Sequence, residues 1–129
     1  MIGSNAFNYI NVLNSAANAS LTRNNVIVNN IANVDTPNYK RKDVQFESYL
    51  QSALTGGGTL DERVADVDFN SLKPKVYTDN ASLSYRLDGN NVDPDTEQSY
   101  LADNQIRYYT LLDSMTQEFS RMKSALQAN

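Results

Sequence analysis

Residues 29–42 read NNIANVDTPNYKRK. An amphipathic pattern runs into this stretch from the amino-terminal side. Asn29, Asn30 and Asn33, all poor helix formers, crowd its last turns, and Pro37 closes it. Pro37 lacks an N–H and pushes Thr36 toward extended geometry, so the helix is expected to stop near Val34 or Asp35, with Asn38 in a turn position of positive φ. A helix stop followed by a turn accounts for Pro37 and Asn38. It does not account for the asparagines, each of which gives up helix propensity for a side-chain amide able to bind backbone groups.

On the amino-terminal side, alternating steps of three and four from Phe7 pick out Phe7, Ile10, Asn14, Ala17, Leu21, Asn24, Val28 and Ile31, a mostly apolar stripe. The same count from Leu101 gives Leu101, Gln105, Tyr108, Leu112, Met115, Phe119, Met122 and Leu126, apolar at all but Gln105. A period of 3.5 sustained this far keeps a stripe facing a partner helix. The partner is either the other terminal helix, in an antiparallel hairpin, or a neighbouring chain. The second helix is expected to begin at Pro94, with Asp93 capping free N–H groups, Pro94 at the first helical position, and Asp95 and Glu97 at the positive end of the dipole.

The middle of the chain has a different texture. Residues 44–54 suit a short helix, Gly56 to Gly58 a flexible linker, and 75–78 with 83–87 a β-hairpin turning at Asp79-Asn80-Ala81. The predicted fold is mainly α with a small β element. Long terminal helices, residues 1–36 and 93–129, form a coiled-coil-like axial domain, and a central segment, 37–92, holds the turn, the short helix, the Gly-rich linker and the hairpin.

At 129 residues the chain has room for one modest domain with a thin core. It contains no Cys and no His, so the usual zinc sites, thiol nucleophiles and Ser-His-Asp triads cannot be built; no catalytic residue, metal or cofactor is expected. A calcium loop starting at Asp88 fails in register, because Asp93 stands where Gly is needed and Ser99 where a bidentate Glu is expected. With a net charge of -4 and Lys40-Arg41-Lys42 as the sole basic run, read as solvated, nucleic acid is a poor partner. The amino terminus shows neither the basic n-region nor the apolar h-region of a cleaved secretory signal, and no stretch has the apolar length of a membrane span.

Asn30, Ala32, Asn33, Thr36, Pro37, Tyr39 and Lys40 match the signature of the axial proteins of the bacterial flagellum, the rod and hook family, which this stretch resembles. Asn38 stands where that family usually has Gly, a replacement that tolerates positive φ. Asp88 to Asp93, followed by Asn104, Arg107, Tyr108 and Leu111, is similar to the basal-body rod branch, and to its proximal members in particular.

The resemblance implies a structural subunit of the proximal rod whose terminal helices line a tubular shaft that transmits torque from the membrane ring to the distal rod and hook. Its implied partners are other copies, other rod proteins, a ring-to-rod adaptor and the flagellar type III export apparatus. Its implied place is the periplasm-spanning rod of the basal body, reached without a cleaved signal. Residues 30, 32, 33 and 36–40 become candidates for docking on neighbouring subunits, the asparagine amides binding the neighbours' backbone. Phe46 and Leu50 fit the family's proposed export pattern, Phe-x-x-x-apolar. Two rivals remain from the residues alone: a helical adaptor or export chaperone pairing through the same stripes, and an acidic hydrolase using carboxylates of the central segment.

Overall fold

The computed structural model describes residues 2–81 and 86–128, with side chains from residue 6 onward. In chain order the elements are helix α1 (Ile2–Ala32), strand β1 (Lys42–Gln45), helices α2 (Glu47–Leu54) and α3 (Leu60–Ala65), strand β2 (Lys75–Thr78) and helix α4 (Pro94–Gln127). The terminal helices run antiparallel along each other. Near one end the Asn30 amide donates to the Glu97 carboxylate at 3.2 Å, further along Asn104 donates to the Ser20 carbonyl at 2.8 Å, and toward the other end Tyr9 senses the charges of Glu118 and Arg121. Of the two partners open to the stripes, each helix has taken the other.

The start of α4 is where the sequence places it. The Asp93 carboxylate accepts from the N–H groups of Asp95 at 3.0 Å and Thr96 at 3.4 Å, and Pro94 opens the helix. α1 stops at Ala32, slightly earlier than expected. Its end tightens into turns in which Asn33 N–H is shared between the carbonyls of Asn29 and Asn30, and Val34 and Thr36 each donate three residues back. Asn38 then adopts φ of 60°, the left-handed turn position read from the sequence.

The main core lies between α1 and the central segment rather than between the two long helices. Ala19, Val44, Phe46 and Leu72 form its centre, with Ala16, Val26, Tyr49, Leu50, Ala53 and Val67 packed around them. Ala16 and Ala19 are small, so β1 approaches the α1 backbone closely. The helix expected over 44–54 is divided by this core. Val44 and Phe46 are buried on either side of exposed Gln45, a period of two that the strand satisfies, and helical geometry begins at Glu47.

β1 pairs antiparallel with β2 in the register Lys42↔Thr78 and Val44↔Val76. The expected strand at 75–78 is thus present, but it pairs with residues 42–45, which the sequence reading had not made a strand. The arm expected at 83–87 falls mostly on residues 82–85, outside the described residues. α3 was not anticipated, although Thr59-x-x-Glu62 is a capping box: the Thr59 hydroxyl accepts from Glu62 N–H, and the Glu62 carboxylate accepts from Thr59 N–H at 2.8 Å.

Candidate functional site

Two surfaces concern function: the turn that follows α1, and the face along the helical hairpin.

The turn is held from within the chain. Asn30 and Asn90 are both 0% exposed. The Asn30 amide pairs with the backbone of Lys42 as a strand would, donating to its carbonyl at 2.8 Å and accepting its N–H at 2.9 Å; it also donates to Glu97 and accepts from the Tyr39 hydroxyl at 3.1 Å. Asn33 donates to the Asn29 carbonyl at 2.7 Å and accepts from the Thr36 hydroxyl, while Asn29 donates to the Tyr39 hydroxyl. The amides expected to reach the backbone of neighbouring chains are therefore engaged in their own.

A second segment, 88–91, closes over the turn. The Asn90 amide donates to the carbonyls of Asn33 at 2.9 Å, Val34 at 3.0 Å and Thr36 at 2.9 Å, capping the open end of α1. Asn38 N–H donates to the Asp88 carbonyl at 2.7 Å, Asn91 accepts from Arg41 N–H at 2.6 Å, and the Lys40 ammonium donates to the Gly89 carbonyl. Gly89 has φ of 76°, a conformation that favours glycine, and a Cβ there would lie 2.6 Å from Asn38 Oδ1, so that side chain would have to shift.

Beneath the turn lies an ionic core. Arg41, read from the sequence as part of a solvated run, is buried; its guanidinium donates to Glu97 at 2.5 Å and to Asp79 at 2.7 Å, and Glu97 is itself buried. Burial alone would lower the Arg41 pKa, but the hydrogen bonds it donates to Glu97 and Asp79, with the charges of Glu97 and Asp43, outweigh burial and raise it, so the charge is locked on. A second bridge links α1, α2 and α4, with Glu47 between Arg23 at 2.5 Å and Arg107 at 2.7 Å. Burial pushes the Glu47 carboxyl up, yet Arg23 and then Arg107 hold it below the ordinary carboxylate value.

Along the hairpin each expected stripe is split lengthwise. Ile10 and Ala17 are buried, and Ile31, Leu101, Tyr108, Met115 and Met122 are half-buried. The alternate members face outward: Phe7 is 54% exposed, Leu21 45%, Val28 48%, Leu112 37%, Phe119 48% and Leu126 76%. At Leu21 the outward row of α1 shares a small surface cleft with Gln105, Tyr108 and Tyr109 of α4. Each long helix thus carries apolar residues at heptad spacing that pairing of the two helices leaves exposed.

Phe46 is buried at the centre of the core and Leu50 is packed against it. Ala32, Thr36, Pro37 and Asn38 are exposed. Among the described residues no group of acidic side chains is placed to hold a metal, and no helix is long and apolar enough to cross a membrane.

The sequence reading missed the buried roles of Arg41, Asn90, Asn91 and Glu97. A partial signal existed, because Asn90 and Asn91 follow the Asp88-Gly89 turn and the end of α1 leaves carbonyls without partners. Nothing local, however, joins residues more than fifty positions apart.

Comparison with known proteins gives a consistent result. The family described as "Flagella basal body rod protein" matches residues 10–40, α1 from Ile10 onward and the turn. The flagellar basal body rod protein FlgB of Bacillus subtilis (strain 168) is 39% identical over 117 residues, covering 90% of this chain and 90% of its own length. FlgB of Escherichia coli (strain K12) is 32% identical over 126 residues, 88% of each chain. FlgB of Borrelia hermsii is 41% identical over 101 residues, 67% of this chain and 71% of its own.

Proposed function

The chain belongs to the flagellar basal body rod protein family and is a structural subunit of the rod, not an enzyme; from that premise we propose that it assembles through the outward face of its helical hairpin. The observation that carries this is the exposure of Phe7, Leu21 and Val28 on α1 and of Leu112, Phe119 and Leu126 on α4. An apolar face of this extent is stable in water once neighbours cover it. Other copies and other rod proteins cover it in the shaft, with the ring-to-rod adaptor at the membrane end, and the resulting tube passes torque to the distal rod and hook across the periplasm.

In this reading residues 1–36 and 93–129 are the axial part and 37–92 the outer part. The signature has a divided task. Asn30, Asn33, Tyr39 and Lys40 fix the shape of the turn from inside, and Ala32, Thr36, Pro37 and Asn38 present it to the neighbouring subunit. Export through the type III apparatus, without a cleaved signal, reads Phe46 and Leu50. Because both are packed in the core of the folded chain, that reading takes place on an unfolded one.

The test is incorporation into rods in cells lacking the native subunit. Phe119→Ser with Leu112→Ser is expected to be exported and folded but not incorporated, with motility lost. Normal incorporation would exclude the outward face as the assembly surface. A stable soluble dimer that covers this face and never enters the rod would favour an adaptor or chaperone instead. Phe46→Ala is expected to reduce export, and unchanged secretion removes that assignment.

A further inference from the structure

The two outer edges of the β1–β2 sheet are finished differently. The edge of β1 is closed by α1: the Asn30 amide pairs with the Lys42 N–H and carbonyl, and Arg23 donates to the Val44 carbonyl at 2.9 Å. Because Lys42 and Val44 turn these groups toward α1, the groups that face β2 belong to the alternate residues. The Asp79 N–H, which donates to the Arg41 carbonyl at 2.9 Å, fits that alternation. In the register Lys42↔Thr78 and Val44↔Val76, the N–H and carbonyl of Val76 and of Thr78 therefore point away from β1. All of β2 is exposed, and neither residue has a hydrogen bond on that side among the described residues.

Water satisfies such backbone groups, so by themselves they select nothing. Two side-chain features do. Val76 stands opposite Val44, a residue of the core's centre, and so lies on the core face of the sheet; it is nonetheless 44% exposed, because the sheet ends there. A further strand would continue that face and cover Val76, whereas water against it is unfavourable. Lys73 and Lys75 stand exposed at the start of β2, and among the described residues neither makes an ion pair or a hydrogen bond. Lysines on an edge repel a basic strand and attract carboxylates set opposite them. A second copy of β2 fits poorly. Centred on Val76, it would set Pro74, which has no N–H, against Thr78. Centred on Tyr77, it would set Asp79 opposite Lys75, but that carboxylate is already held by Arg41 at 2.7 Å.

We infer that the outer edge of β2 takes a third, antiparallel strand from a neighbouring subunit, an extended segment with carboxylates opposite Lys73 and Lys75 and an apolar side chain beside Val76. Only in an antiparallel strand do the residues opposite Val76 and Thr78 exchange both backbone bonds with them. The neighbouring subunit as the source rests on the rod-subunit reading; the chemistry of the edge does not.

The test titrates the isolated full chain, labelled with ¹⁵N, with acetyl-TVTVEVE-amide, whose glutamates fall opposite Lys75 and Lys73 when its valines fall opposite Thr78, Val76 and Pro74. Saturable shifts and slowed exchange are expected at the Val76 and Thr78 N–H groups, while the Tyr77 N–H, which faces β1, changes little. The basic counterpart acetyl-TVTVKVK-amide is expected to bind at least about tenfold more weakly, and the acidic peptide N-methylated on the valines opposite Val76 and Thr78 not at all. Thr78→Pro removes an outward N–H without breaking the β1 ladder, and should abolish binding with the fold intact by circular dichroism. Lys73→Glu with Lys75→Glu should invert the preference between the two peptides.

The inference is overturned by the absence of saturable shifts at Val76 and Thr78, by equal binding of the basic peptide, by binding that survives N-methylation or Thr78→Pro, or by an unchanged preference in the charge-reversed variant. Self-association of the chain that protects the same N–H groups without peptide would overturn it too, by making a second copy the occupant. Each of those results leaves the rod-subunit reading standing, since that reading is decided by incorporation in cells.

Discussion

The two ends of the helical hairpin solve opposite problems. At the end bearing the turn, Asn30, Asn90, Arg41 and Glu97 are buried polar groups that hydrogen-bond within the chain, several of them across more than fifty residues. Toward the other end, Phe7, Phe119 and Leu126 are exposed apolar groups. Buried polar groups are costly when any partner is lost, so the first end is specified tightly and in conspicuous residue types. Apolar contact is non-directional and tolerates many side chains, so the second end is written in ordinary heptads. The conspicuous motif is therefore the in-chain fastener, while the exposed apolar row, the surface proposed for assembly, is the plainer of the two.

The largest test of this contrast is Glu97→Ala, which leaves the buried Arg41 guanidinium short of its nearest carboxylate and removes an acceptor from Asn30. A loss of about 3–5 kcal/mol is expected in denaturant unfolding of the isolated chain; a loss below about 1 kcal/mol would mean the turn is not what holds this end together. Asn90→Ala strips the donor shared by three carbonyls and should cost about 2–3 kcal/mol, with faster hydrogen exchange confined to residues 30–41. Gly89→Ala, strained by its positive φ and its closeness to Asn38, is expected to cost about 1–2 kcal/mol.

Glu47→Gln removes a partly exposed charge from the Arg23 and Arg107 bridge, and an effect of at most about 1 kcal/mol is expected. Its pH dependence has a fixed sign. The folded pKa lies below the unfolded one, so the stabilisation is fully present above the ordinary carboxylate pKa and is lost as pH falls through the folded value. The difference in Tm between wild type and Glu47→Gln should accordingly be constant near neutrality and shrink below about pH 4. The smallest effect on the isolated chain belongs to Phe119→Ser, about 0.5 kcal/mol. If that substitution instead destabilises the monomer as much as Asn90→Ala does, the two ends are not different in kind.

Much of this was legible in residue order. Asp93-Pro94 placed the start of α4, Pro37 and Asn38 the turn, and the spacing from Phe7 and Leu101 both long helices, because capping, proline geometry and heptad period are local effects. The strand at 75–78 was also local; its partner was not. Strand pairing joins distant segments, and the choice of Lys42–Gln45 followed from Val44 and Phe46 both being needed in the core against Ala16 and Ala19.

The sequence by itself thus determined a rod-family chain with two amphipathic helices, a capped start to the second and a left-handed turn after the first. Only the tertiary structure decided that the helices would pair with each other, which half of each stripe would stay outside, and that the asparagines of the turn and the Arg41 Nε and Nη1 groups would hydrogen-bond inward. The physical reason is range. Propensity, capping and period act over a few residues, whereas burial of an ionic or amide group depends on which remote segment arrives to share it.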